Sequence, residues 1–366
     1  MAGKKRKAAG DVPDIRPARR QSGRARKAEV KYNESDIEDA HSDGEYKADA
    51  DEAHSDGEFK ADADEASEGE GVEEASESDD EYASKLKKKG WIKKKGEDGR
   101  WQMVIDIPRA KDPGGIPYRD DRIHPNTMEF LQDLKKNNQR EWLKFHDAPY
   151  SPSGSFRQAE KDFHTFVTEI SAVVSEIDPT IPELPIKDII FRIYRDLRFS
   201  PDPTPYKPYF SVAWSRTGRK GPYAHYYLHI QPNGQSFLGG GYYACDNATL
   251  ACIREDIDLQ PQQFKSILMN DNLRQTFFSG VSKDEKKVVA AFCTMSGENA
   301  LKKMPKGYAI DHRDIALLKL KSFTLRKSIS DEEITSVNGL GIVGDIIAAI
   351  EPFITYLSHT VLPDRG

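Results

Sequence analysis

Apolar residues recur at helical spacing before residue 180 and at strand spacing after it. Between Phe156 and Ile177 they return every three or four positions, which predicts a long amphipathic helix ended by Asp178 and Pro179. A shorter pattern over Phe130–Leu134 predicts a helix that stops near Asn137. Beyond Ile189 the apolar period falls to two, which is typical of β-strands.

Three predicted strands are separated by turn residues. They cover Ile189–Tyr194, Phe210–Ser215 and Tyr223–Ile230. The segment SPDPTPYKP between the first two holds four prolines, which remove backbone donors and fix φ, so it predicts a rigid extended loop. SRTGRKGP between the second and third predicts a turn. Together these features predict an antiparallel meander.

Helical patterns return after the strands. Leu250–Ile257 and Gln262–Met269 predict two helices, and Ser330 with Glu333 predicts a capping box at the start of another. The final apolar stretch contains two acids, a proline and a histidine, so we expect a packed terminal helix or helix pair and not a membrane span. Helices on both sides of a meander favour an α+β fold over a doubly wound parallel sheet, in one domain over 123–366.

Five motifs between residues 123 and 362 resemble one known family. They are MEFLQDLKKNNQREWLKFHDAPY, FRIYRDLRFSPDPTPYK, TGRKGPYAHYYLHI, QSFLGGGYY and MPKGYAIDHRDIALLKLKSFTLRKSISDEE. In this order they resemble domain-of-unknown-function family 2461, a set of uncharacterised bacterial and fungal proteins. The resemblance implies the domain but no reaction, cofactor or partner. The family pattern has a small residue where His225 stands, so a role for His225 would not be a family trait.

Charge divides the chain into blocks. Residues 1–31 carry eleven Lys and Arg against three acids, 32–82 carry two against twenty-two, and 83–111 carry ten against three. The remainder, 112–366, is close to neutral, so the net charge of −6 averages opposite blocks. Low hydrophobicity and high charge leave residues 1–84 too little apolar surface to offset chain entropy, so we expect a disordered tail.

The acidic block contains a tandem repeat. AHSDGEYKADADE at 40–52 recurs as AHSDGEFKADADE at 53–65. The simpler interpretation is replication slippage in an unconstrained tail. The alternative is an acidic tract that competes for basic partners such as histone tails. Phosphorylation would deepen its charge at serines that resemble casein-kinase II acceptors, which are Ser35, Ser42, Ser55, Ser76 and Ser78.

Basic runs stand near the start of the chain, without the apolar core of a secretory signal. Such runs predict nuclear localisation through the import machinery, although they also bind nucleic acid nonspecifically. The first run is Lys4, Lys5, Arg6 and Lys7. Residues 85–122 form a basic and aromatic linker. In it we expect Trp101–Ile107 to dock on the domain as a strand, and we leave Trp91 open between docking and base stacking.

Cysteine, histidine and glycine patterns predict little chemistry. The three cysteines fit buried structural thiols of a reduced intracellular protein. His225 and His229 share a strand face, but no spacing supplies a third metal ligand, so we expect no metal and no cofactor. Gly239–Gly241 lacks the Lys-Ser/Thr of a phosphate loop and predicts a bulge or a close backbone approach.

Cations concentrate in the meander loops. Arginine forks bind phosphate or carboxylate bidentately, so the sequence predicts an anion-binding hollow where these loops meet. The alternative is an internal ion-pair network in which Arg192, Arg195 and Asp196 pin the proline loop. The predicted site residues are Arg192, Arg195, Arg198, Lys207, Arg216, Arg219, Lys220 and His229.

The shape of that hollow separates the candidate functions. An open cationic face favours a nuclear module that binds nucleic acid or chromatin, whereas a closed pocket containing His229 or Asp196 favours an enzyme or sensor for a small phosphorylated ligand. A structural scaffold is the third possibility. We expect binding to nucleic acid or histones and no membrane partner.

Overall fold

The computed structural model describes residues 92–95, 100–104, 111–146, 155–198 and 200–363. The predicted tail, with its charge blocks, its repeat and its basic run, lies outside the described residues, as does Trp91. Strands β1 (Ile92–Lys95) and β2 (Trp101–Val104) pair antiparallel in a two-stranded sheet. The first four residues of the strand predicted over Trp101–Ile107 thus form β2. The other three residues of that segment lie outside the described residues.

Helices α1 (Pro125–Lys136), α2 (Arg140–His146) and α3 (Ser155–Ile177) lie before the main sheet. His124 caps α1 by accepting a hydrogen bond from the Asn126 backbone N–H, and Pro125 occupies the first helical position, where no backbone donor is needed. Most of the apolar face of α3 lies in the core, from Phe156 to Val174. The predictions of α1 and α3 from apolar spacing are confirmed.

The main sheet is an antiparallel meander. In the described part of the chain its strands lie in sequence order as β3 (Ile190–Phe191), β4 (Phe210–Trp214), β5 (His225–Ile230), β6 (Phe237–Tyr242) and β7 (Phe323–Ser328). With helices before and after it, this sheet confirms the α+β class.

The strand predicted over Ile189–Tyr194 is shorter than expected. Pro185 starts a single helical turn, α4 (Ile186–Ile189), and only Ile190 and Phe191 then pair with β4. Tyr194 instead pairs with Tyr206 in an isolated bridge, because residues 193–195 form backbone hydrogen bonds with residues 205–207.

Helices α5 (Asn247–Leu259), α6 (Pro261–Leu268), α7 (Asp271–Phe277), α8 (Glu285–Ser296) and α9 (Ile315–Leu318) lie between β6 and β7. After β7 come α10 (Asp331–Thr335), which has the predicted capping box, and α11 (Gly339–Val361), which forms one helix and not a pair. By length and composition alone α11 could cross a membrane, a property that core helices share. It packs against α3 and β6 with Phe353 and Ile354 buried.

The glycine run in β6 lies where neighbouring backbone comes very close. A Cβ on Gly239 would overlap the Leu325 carbonyl oxygen, and one on Gly240 would lie 2.8 Å from the Ile354 Cδ1 atom. Gly241 also has φ +120°, which other residues rarely adopt. The prediction of a close backbone approach is confirmed.

Candidate functional site

An internal ion pair anchors the proline loop. The Arg195 guanidinium pairs with Asp202 inside the loop and donates a hydrogen bond to the Thr204 hydroxyl at 2.7 Å. Its side chain is only 11% exposed. The ion-pair alternative is therefore correct for Arg195, but its partner is Asp202 and not Asp196.

Asp202 also organises the loop that follows it. Its Oδ1 accepts hydrogen bonds from the backbone N–H and the hydroxyl of Thr204, both at 2.8 Å. Partial burial raises the pKa of Asp202, but the hydrogen bonds from Thr204 and the charge of Arg195 outweigh it and leave the pKa below its usual value. The carboxylate is therefore held in its charged form.

Asp196 and Arg198 form a two-point pair at the surface. Arg198 Nε donates to Asp196 Oδ1 at 3.0 Å and Nη2 donates to Oδ2 at 2.8 Å. These hydrogen bonds lower the pKa of Asp196 to about 2. The Arg198 side chain is nevertheless 79% exposed, so this pair leaves most of the guanidinium in solvent.

A cleft of about 410 Å³, open to solvent, lies over this loop. Its lining carries four arginines against one carboxylate, a balance of +3, and the Asp202 partner of Arg195 reduces this to +2. Two side chains at the cleft are apolar and exposed, namely Tyr194 at 47% and Leu197 at 40%. The full lining is Arg140, Arg192, Tyr194, Arg195, Asp196, Leu197 and Arg198. We call this site the arginine cleft.

The remaining predicted cations lie elsewhere. Arg216 stacks over the Tyr223 ring at 5.3 Å, and Arg219 donates from its side chain to the Lys187 carbonyl. Together with the exposed Lys220, these arginines lie in the turn that follows the last residue of β4. The arginine cleft lies at the opposite end of β4, next to the first residue of the strand. Five strand residues span roughly 13 Å. The expectation that all the loop cations gather in one hollow is therefore wrong.

Lys207 and His229 are both buried, and neither lines the arginine cleft. His229 packs between the rings of Tyr209 and Phe237, and its Nε2 lies 2.8 Å from Gln231 Oε1. Burial, assisted by the nearby charge of Arg326, lowers the pKa of His229 to about 4 although the Gln231 contact opposes this. His229 is therefore neutral at physiological pH.

Burial disfavours the thiolate form of two of the described cysteines. The cysteines are free and half-buried, and burial raises the pKa of Cys245 to about 12 and that of Cys293 to about 11. Among the residues the structure describes, no group of three His, Cys, Asp or Glu side chains is placed to hold a metal ion.

A second cavity, between α1, α2 and α3, holds about 100 Å³, which is too small for most organic ligands.

Sequence reasoning missed two contributors to the arginine cleft. Arg140 begins α2 and Asn138 precedes it, both far along the chain from the proline loop. Asn138 holds the Tyr206 backbone through two hydrogen bonds and so places the loop beside Arg140. The motif KKNNQREW contains both residues, but no local pattern indicates the distant partner.

The comparisons with known proteins agree with the motifs. A family model described as "Conserved hypothetical protein (DUF2461)" matches residues 126–356, which include the arginine cleft and the whole meander. Searches of curated proteins and of solved structures give no match. Because the matched residues make up more than half of the sequence, the chain belongs to this family of conserved hypothetical proteins.

Proposed function

We propose that this protein is a binding module that recognises the phosphates of nucleic acid through the arginine cleft. The observation that carries the proposal is the convergence of four arginines from two distant segments on one open cleft. Arginine guanidinium groups suit phosphate because they offer two parallel N–H donors and stay charged at all physiological pH values.

The openness of the cleft favours a polymer over a small phosphorylated ligand. Sites for small ligands enclose most of the ligand surface, whereas a phosphate backbone needs an accessible cationic track. The enzyme alternative needs a closed pocket containing His229 or Asp196. Asp196 lines the cleft, but the cleft is open, and the buried His229 lies outside its lining. We therefore expect the cleft to bind nucleic acid and not phosphorylated metabolites alone.

The test is the salt dependence of binding to a labelled oligonucleotide. Replacing Arg140, Arg192 and Arg198 together with glutamine is expected to weaken binding at least tenfold. It should also reduce the slope of log affinity against log salt by roughly 2 to 3, because each lost phosphate contact removes about 0.7 to 0.9. Arg195 and Lys207 are left intact because both are largely buried.

A matched control replaces Lys302, Lys303 and Lys306 with glutamine. These lysines are exposed and lie outside the arginine cleft, and their loss changes the net charge equally. Equal loss of affinity in both triple variants would show that only the overall charge matters. Unchanged affinity in the arginine variant, with the fold intact by circular dichroism, would contradict the proposal, and so would binding of phosphorylated metabolites alone.

We also propose that the module works in the nucleus, with residues 4–7 as the import signal. This basic run carries four consecutive cations. In a fluorescent fusion of the full chain, alanines at all four positions should abolish nuclear accumulation. Alanines at Lys302, Lys303 and Lys306 should leave it unchanged. Retained accumulation in the first variant would contradict the proposal, and the contact of the acidic block with histone tails stays a prediction.

A further inference from the structure

The arginine cleft contains an exposed aromatic ring that phosphate binding does not use. Tyr194 is 47% exposed and lines the cleft with Arg192 and Arg198. We infer that the cleft takes an unpaired nucleotide, with its base stacked on Tyr194 and its phosphates on the arginines. This inference rests on the proposed function and narrows it to single-stranded nucleic acid.

Tyr194 is held in place before any ligand arrives. Its backbone pairs with Tyr206 in a bridge, flanked by hydrogen bonds from Arg195 N–H to the Pro205 carbonyl at 2.9 Å and from Lys207 N–H to the Ile193 carbonyl at 2.7 Å. The Tyr206 ring meets the Tyr194 ring edge-on, with centroids 5.5 Å apart. A ring fixed in this way loses little conformational entropy on stacking.

The chemistry of the cleft suits an unpaired nucleotide of a longer strand. Alternation of aromatic and cationic side chains is the arrangement with which proteins bind single strands, because every base has a face that can stack. Leu197, 40% exposed at the same cleft, adds apolar surface for a base. In a duplex the bases are paired and stacked on each other, so they cannot reach Tyr194.

The experiment compares an oligothymidylate strand with a duplex of the same length, by fluorescence anisotropy on the full chain. The wild-type protein should bind the single strand more tightly. Tyr194→Ala should weaken single-strand binding by about tenfold and leave duplex binding within about twofold, because only the single strand offers a base to stack. Tyr194→Phe should retain wild-type affinity, since the ring and not the hydroxyl makes the contact.

Leu259→Ala is the matched control, because Leu259 is a 68% exposed apolar residue outside the arginine cleft. Equal loss of single-strand and duplex binding in Tyr194→Ala would assign Tyr194 a structural role and overturn the inference. A wild-type preference for duplex would overturn it as well. If the triple arginine variant loses binding and Tyr194→Ala does not, the proposed function stands and only the stacking inference fails. If the wild-type protein binds neither probe, both fail.

Discussion

The side-chain amide of Asn138 makes two hydrogen bonds with the backbone of Tyr206. Nδ2 donates to the Tyr206 carbonyl oxygen at 2.8 Å, and the Tyr206 N–H donates to Oδ1 at 3.0 Å. The two residues are 68 positions apart. This contact therefore joins the α1–α2 connection to the proline loop, and it brings Arg140 to the same cleft as Arg192 and Tyr194.

Asn138→Ala should destabilise the protein by about 1 to 3 kcal/mol, because it leaves two partly buried backbone groups of Tyr206 without their partner. Urea denaturation followed by circular dichroism measures this change in the free energy of unfolding. Asn137→Ala is the control, since the Asn137 side chain donates only to the exposed end of α1, at the Asp133 carbonyl. Equal effects of the two substitutions would mean that the contact with Tyr206 contributes nothing.

Asp202→Asn should destabilise the proline loop. It should also make the free energy of unfolding fall less steeply as the pH is lowered. The pKa of Asp202 is lowered in the folded protein, so its contribution is complete above the unfolded value of about 3.9 and is lost as pH falls through the folded value. At neutral pH we expect a cost of about 1 kcal/mol, since the pair is partly exposed. The measurement is the free energy of unfolding between about pH 5 and 3 for both proteins.

Asp120→Asn serves as the control for that series at neutral pH. Asp120 is an exposed carboxylate outside the proline loop, so its loss should change stability by less than about 0.5 kcal/mol. If the free energy of unfolding falls equally steeply with pH in the wild-type protein and in Asp202→Asn, the role given to the ion pair with Arg195 is contradicted.

Local patterns predicted the elements whose boundaries are set locally. The apolar period of α3 and its stop at Asp178, the alternation in β4, and the capping box of Ser330 and Glu333 all depend on residues within a few positions of each other. Gly241 was also interpretable, because a glycine inside a strand marks a place without room for a side chain. These features gave the fold class.

Features that depend on distant contacts could not be predicted in this way. Strand β3 is shorter than predicted because Pro185 starts a helical turn before it and because Tyr194 pairs with Tyr206 after it. Likewise, cations such as Arg195 and Arg216 look equivalent in the sequence. Their division between an ion pair in the proline loop and a ring contact at the opposite end of β4 follows from the register of the sheet.

His229→Asn should make the protein less sensitive to mild acid. The folded-state pKa of His229 is about 4, below its unfolded value of about 6.5, so the unfolded chain binds the proton first and stability falls as pH drops from 6.5 to 4. The loss attributable to this residue is up to about 3 kcal/mol. Urea denaturation at several pH values measures it. His359→Asn, at an exposed position on α11, is the control. The prediction is contradicted if neither substitution changes the slope of the free energy of unfolding against pH.

Gly241→Ala should be among the most damaging single substitutions in the sheet. A Cβ there would overlap the Phe323 carbonyl oxygen of β7 and would lie 3.1 Å from the Phe353 ring of α11, and φ is +120°. Overpacking costs about 1 to 3 kcal/mol, to which about 1 kcal/mol of backbone strain is added.

Gly115→Ala separates these two costs. Gly115 also has a positive φ of +82°, but no atom lies within 4 Å of a Cβ built on it. It should therefore show the strain alone, about 1 kcal/mol, when the free energies of unfolding are compared in urea. If Gly241→Ala costs no more than Gly115→Ala, the strands β6 and β7 can separate enough to admit a methyl group. The close packing of the sheet against α11 would then not be what requires glycine at this position.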